Sequence, residues 1–141
     1  MRRFVLIKTN KDNLKTSGLL ITFPFPTPSG WEFKRCPPKR PELGKWNLAK
    51  WNRQFDSYLS GYALVKKYQA HERRKVLVLR QVEKKQKFIR DDLNLREGCK
   101  PLFDALVRAK LLIDDDIKWL DDRYEQCVGE PSTLVKITWG R

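Results

Sequence analysis

The chain has 141 residues, enough for one domain with a buried core, and its 40% apolar and 11% aromatic content is globular rather than disordered. The formal net charge is +13, but it is unevenly placed: residues 1–90 hold +16 and residues 91–141 hold −3. A basic body around a compact acidic segment suits a polyanion such as nucleic acid, handled with a cation; the plainer alternative is a soluble protein that is merely basic. Cys36, Cys99 and Cys127 are widely spaced with no C-x-x-C pair, which argues against a zinc ribbon. His71 is the only histidine, so mechanisms that need two are excluded. The apolar run Phe4-Val5-Leu6-Ile7 is too short for a signal sequence or a membrane span. With reduced thiols, this predicts a cytoplasmic protein.

Residues 1–18 read as a basic N-terminal extension to a domain spanning 19–141, with an added strand over 4–8. Residues 19–25 alternate as a strand, with Leu19, Ile21, Phe23 and Phe25 on one face. Pro24, Pro26 and Pro28 stop it and place it at a sheet edge or at a strand end. Residues 26–44 form a long loop where Trp31 and Phe33 interleave with Lys34, Arg35, Lys39 and Arg40. Such a loop either clamps a nucleic-acid strand by stacking and phosphate contact or plugs its aromatics onto the core. Residues 46–67 are predicted as one helix, because Leu48, Trp51, Phe55, Leu59 and Tyr62 recur at threes and fours. Residues 75–83 predict a strand with Val76, Val78 and Val82 on one side and Leu77 and Leu79 on the other, hence interior and covered on both faces. The run E-K-K-Q-K-F-I-R over 83–90 offers Lys84, Lys85, Lys87 and Arg90 to a phosphate backbone, or else it is a solvated hairpin. Residues 119–127 and 133–139, split by a turn at 129–132, predict a C-terminal antiparallel hairpin.

Residues 91–116 carry the chemistry. Leu95, Cys99, Leu102, Leu106 and Ala109 trace one apolar helical face between two acidic clusters, Asp91-Asp92 and Asp114-Asp115-Asp116. The clusters meet only if the chain folds back after the helix. Carboxylates in a basic protein are explained if they hold a hard cation; Mg²⁺ takes one or two of them and keeps several waters. Lys100, near the first cluster, is placed to offset charge on a reacting phosphate. The competing reading is that acidic runs at helix ends are caps and solvated turns.

The order Asp91, Asn94, Leu95, Gly98, Lys100, Pro101, Leu102, Asp104, Ala105, Leu106, Val107, Ala109, Ile113, Asp114, Asp115 resembles the RusA family of Holliday-junction resolvases, common in prophages. That family's pattern is Asp-x-Asp-Asn-Leu, four residues, Lys-Pro-Leu-x-Asp-Ala-Leu-Val-x-Ala, then Asp-Asp. Trp119, Arg123-Tyr124-Glu125-Gln126 and the proline-rich stretch Ile21-Thr22-Phe23-Pro24-Phe25-Pro26 extend the likeness. It is dense over 91–126, sparser across the rest of 19–140 and absent from 1–18.

The resemblance implies a homodimeric, Mg²⁺-dependent endonuclease cutting branched DNA in recombination and repair, of bacterial or phage origin. Its fold would be a small α+β domain, a mixed sheet with two main helices packed on it. Carried over by position, Asp91 and Asp115 become metal ligands and Lys100 the catalytic lysine, with Asp114 flanking the second ligand position; Asp104 also matches the pattern, but its mid-helix place reads as structural. The chain departs from the pattern at one place: Asp91-Asp92-Leu93-Asn94 has Leu93 where the family has its second Asp. In a regular strand Asp91 and Asp92 would face opposite ways. A β-bulge turning Asp92 inward would supply the missing ligand, as would an Asp92–Asn94 pair. Otherwise the site is catalytically impaired and the chain is a junction-binding or generic basic DNA-binding protein.

Overall fold

The computed structural model describes residues 3–8, 17–33 and 43–140. Five strands form one mixed sheet: β1 (Arg3–Lys8), β2 (Ser17–Phe23), β3 (Arg74–Val82), β4 (Leu120–Val128) and β5 (Ser132–Trp139). Their order is β1-β2-β5-β3-β4, with β3 and β4 parallel and the other pairs antiparallel. Three helices, α1 (Leu43–Leu59), α2 (Asp92–Glu97) and α3 (Lys100–Arg108), complete an α+β architecture. No described helix is long and apolar enough to cross a membrane.

The period-two pattern explains the strands. Leu19, Ile21 and Phe23 of β2, Val76 and Val78 of β3, and Val135 and Ile137 of β5 are all at most 2% exposed. The strand register aligns them on one face. Phe55 and Leu59 of α1 and Leu102 and Leu106 of α3 close over them in a single core. Each such side chain contributes about 1.5–3 kcal/mol by leaving water. The prolines after Phe23 mark the end of β2, which is an inner strand rather than an edge, because β1 pairs with it along its length. Past that end, Phe25 packs against Trp51, Phe55 and Tyr58 at ring separations of 5.4–5.6 Å.

Four expectations change. The helix predicted over 46–67 stops at Leu59; beyond Gly61 the chain makes two short 3-10 turns, which bury Tyr62 and Tyr68. Gly61 weakens helix continuation by about 1 kcal/mol, and the two tyrosine rings pack 6.4 Å apart instead. The C-terminal strands are not a paired hairpin, because β3 lies between them. The turn after β4 passes over the end of β3, where the Gly129 N–H donates to the Val82 carbonyl at 2.9 Å. Interior β3 is buried on one face only; Leu77 and Leu79 remain half-buried on the other, outside the core cluster. Finally, the apolar stripe from Leu95 to Ala109 belongs to two helices, broken between Glu97 and Lys100, rather than one.

Buried Arg74 ties the elements behind the sheet together. Its guanidinium donates to the carbonyls of Tyr68, Leu111 and Gln69 at 2.7, 2.8 and 3.1 Å, and lies 3.9 Å from the centre of the Trp139 ring. Burial pushes its pKa down to about 10, with Glu72 partly offsetting. After α3, Lys110 takes a left-handed φ of 64°, and the Leu111 N–H donates back to Leu106. This reversal turns the second acidic cluster back toward the start of α3.

Candidate metal and phosphate site

The first acidic cluster lies at a helix start, not on a strand. Asp91 is the N-cap of α2: one carboxylate oxygen accepts from the Leu93 N–H and the other from the Asn94 side-chain amide, both at 3.0 Å. The strand-and-bulge account of Asp91 and Asp92 therefore gives way to helix capping. An Asp92–Asn94 pair is also excluded, because residues two apart in a helix do not share a face. The Asn94 side-chain oxygen is moreover enclosed and without a hydrogen-bond partner among the described residues. Asp92, in the first turn, is exposed, and so is Leu93 at 55%.

Helix α2 is held against the loop that follows β2 by close backbone approach. A β-carbon on Gly98 would lie 1.8 Å from the Pro28 carbonyl oxygen, and one on Gly30 would lie 2.5 Å from Cβ of Glu97. Both positions need glycine for room rather than for an unusual φ. A second support is polar. Buried Arg80 of β3 donates to Thr27 O at 2.7 Å, and to Lys87 O and Gln126 Oε1 at 3.1 Å. Gln126 of β4 closes the set, accepting from the Ile89 N–H at 2.9 Å and donating to Ile89 O at 2.8 Å. Arg80 and Gln126 thus fix the basic turn just before Asp91.

On that turn Lys84, Lys85, Lys87 and Arg90 are exposed. Lys87 pairs with Glu83 at 2.8 Å, and this hydrogen bond with its charge holds the Glu83 carboxyl below the ordinary range. The other two proposed phosphate contacts, Lys34 and Arg35, lie outside the described residues. On the preceding 3-10 turn Trp31 is 55% exposed and Phe33 is half-buried. Asn47 of α1 secures that turn through the Glu32 carbonyl at 2.9 Å.

Lys100 and Asp115 line one cavity, together with Arg96, Glu97, Phe103, Ile117, Leu120, Asp122 and Tyr124. Lys100 opens α3 and points its ammonium to Asp104, 3.9 Å away. The Asp115 N–H donates to the Asp114 carboxylate at 2.7 Å. Partial burial, then the hydrogen bond and charge of Asp114, hold the Asp115 carboxyl above the ordinary aspartate value; Lys100 offsets this and Asp104 adds to it. Followed by NMR, Asp115 should titrate above the usual midpoint of about 3.9. Asp114→Asn should move that midpoint down; an unmoved midpoint would remove Asp114 as a cause. Asp116 shapes the turn, its backbone carbonyl accepting from Trp119 and Leu120.

Asp92 lies in the adjoining groove, with Leu93, Leu95, Arg96 and residues 122–125 of β4. The two hollows share Arg96, Asp122 and Tyr124. Asp91 lines neither. Among the described residues, no three His, Cys, Asp or Glu side chains gather as a metal-binding group. The residues that join the hollows, Arg96, Asp122 and Tyr124, are not among the site residues expected from the sequence. The Tyr124 hydroxyl donates to Asp122 at 2.6 Å, and Arg96 reaches Asp122 at 3.5 Å while lying 5.7 Å from the Tyr124 ring centre. Burial, then the bond to Asp122 and its charge, raise the tyrosine's pKa. The alternation Leu120, Asp122, Tyr124, Gln126 was the signal that places them on the helix-covered face.

A scan against models of protein families and a search of curated proteins gave no match to this chain.

Proposed function

We propose that the chain is a Mg²⁺-dependent, structure-specific endonuclease of the RusA type, cutting four-way DNA junctions as a homodimer in a bacterial cytoplasm. One observation carries the reading: Lys100 and Asp115, distant in sequence and named by the family motif, line the same cavity. The donor chemistry fits a hard dication. Asp114 and Asp104 crowd Asp115 with negative charge that such an ion relieves. Asp115 would hold Mg²⁺ from this side and Asp92 from the first turn of α2, which Asp91 caps. When bound, the metal supplies Lewis acidity and a more acidic water. Lys100 offsets charge developing on the phosphate, and the exposed lysines of the 84–87 turn grip the flanking backbone.

A second reading has its own observation. Asp91 spends both carboxylate oxygens on the start of α2, and the family's second Asp position is the exposed Leu93. A chain so arranged binds junctions without cutting them. The test is a synthetic four-way junction incubated with and without Mg²⁺, with linear duplex as control. The expected result is Mg²⁺-dependent cutting, lost on Asp115→Asn while junction binding persists, and slowed about a hundredfold by Lys100→Ala. Binding confined to the junction with no cutting selects the second reading. Equal binding of linear duplex overturns both in favour of a generic basic DNA-binding domain.

A further inference from the structure

Strand β4 ends the sheet, and its outer side carries the backbone groups of alternate residues. The Arg74 N–H donates to Trp119 O and the Gly129 N–H to Val82 O. In the parallel register this turns the N–H and C=O groups of Asp121, Arg123, Glu125 and Cys127 toward β3. Those of Asp122, Tyr124 and Gln126 therefore point outward, with no backbone partner among the described residues. Helix α2 leaves that side accessible as the groove lined by Asp92, Leu93, Leu95 and Arg96. An unpaired edge of this length is a template for another strand.

Charge selects the strand that fits. We infer that the free edge of β4 pairs antiparallel with β4 of a second copy of this chain, about a two-fold axis at Tyr124. The inference rests on the homodimer reading above and names its surface. Outward-pointing residues must meet outward-pointing residues, so Tyr124 exchanges both backbone bonds with its own copy, and Asp122 exchanges both with Gln126. The intervening pairs set the exposed Arg123 of each chain directly opposite the exposed Glu125 of the other. Opposite charges across strands attract, whereas like charges repel. An axis at Arg123, Glu125 or Asp122 sets that charged residue against itself; moving it further shortens the ladder. Charged side chains on an edge ordinarily deter pairing, yet here their order complements itself. Two-fold symmetry then places the paired hollows of the two chains on either side of one axis, as two equivalent cuts in a junction require.

The test is mass by light scattering combined with charge exchange. The wild type should be dimeric at micromolar concentration. Arg123→Glu and Glu125→Arg should each raise the dimer dissociation constant at least tenfold, and the double exchange should restore it, which a folding defect would not do. A register-specific check uses the native Cys127, placed opposite residue 121 of the other chain. The Cα separation of such a pair is about 4.5 Å, within disulfide reach. Asp121→Cys should therefore cross-link into a covalent dimer with diamide, and adding Cys127→Ser should prevent it. Dimers unaffected by either reversal, with no cross-link, would overturn the inference and leave a dimer formed elsewhere. A wild-type monomer would overturn the dimer altogether, while junction cutting by that monomer would preserve the nuclease reading.

Discussion

Gly98→Ala should lower the unfolding free energy by roughly 3 kcal/mol, the upper end of the usual cost of overpacking, because the site cannot yield. The added β-carbon would lie 1.8 Å from the Pro28 carbonyl oxygen and 2.8 Å from its carbonyl carbon. Both neighbours are backbone, so no rotamer change relieves the clash. Pro28 is itself held, because Thr27 beside it accepts from Arg80 at 2.7 Å. The remaining escape is for α2 to move away from the loop after β2, which displaces Asp91 and Asp92 together. Gly129→Ala is the internal control. Its β-carbon meets only the end of the Gln81 side chain, at 2.9 Å, and that flexible group can swing aside. The control should cost under about 1 kcal/mol. Urea unfolding followed by circular dichroism measures both. Equal losses in the two variants would show that the approach of Pro28 to α2 is not a tight constraint.

The elements legible in the sequence are those with one face buried. Leu19, Ile21 and Phe23 alternate because β2 must sit against α1 and α3, and the same holds for Val135 and Ile137. The order of strands is a different kind of information. Strand β4 reads L-D-D-R-Y-E-Q-C-V, polar on both faces, and nothing local says whether it pairs with β3 or β5. Only β3, apolar on both faces, signals an inner position, and its insertion between β4 and β5 is a long-range choice. The end of α1 was hidden for the opposite reason. Tyr62 keeps the helical spacing, but it is buried from a 3-10 turn.

At the site, Lys100 and Asp115 were legible through a motif, and their shared cavity depends on the chain reversal at Lys110. Asp122, Tyr124 and Arg96 were not. Asp121 and Asp122 look equivalent until the register of β4 turns the second toward α2 and the first away. The sequence left Asp91 with two readings, because a carboxylate that caps a helix and one that binds a metal have the same sequence signature. The hydrogen bonds to Leu93 and Asn94 reveal the cap.

Arg80→Met should cost roughly 3 kcal/mol and, more selectively, loosen the turn that carries the candidate phosphate contacts. An arginine in a strand ordinarily reads as a solvent-facing charge, but Arg80 is only 9% exposed, and burial holds its guanidinium below the ordinary arginine pKa, with Cys99 and Glu32 partly offsetting. Methionine keeps much of the volume and removes every donor. The carbonyls of Thr27 and Lys87 and the Gln126 side chain then lose a charged partner, and each buried acceptor left unmatched costs about 1–3 kcal/mol unless water reaches it. Arg80→Lys should recover only part of the loss, because one ammonium cannot reproduce the guanidinium fork. Without Arg80 the Gln126 side chain can swing away from Ile89, whose N–H and carbonyl it now holds at 2.9 and 2.8 Å. The Ile89 amide should therefore exchange faster with solvent than the global loss of stability accounts for, while the Val78 amide in the middle of β3 should slow or quicken only with that global change. Native-state hydrogen exchange resolves the two amides in one experiment. Matching changes at both positions would reduce Arg80 to a general contributor to stability and leave Gln126 alone as the support of the turn before Asp91.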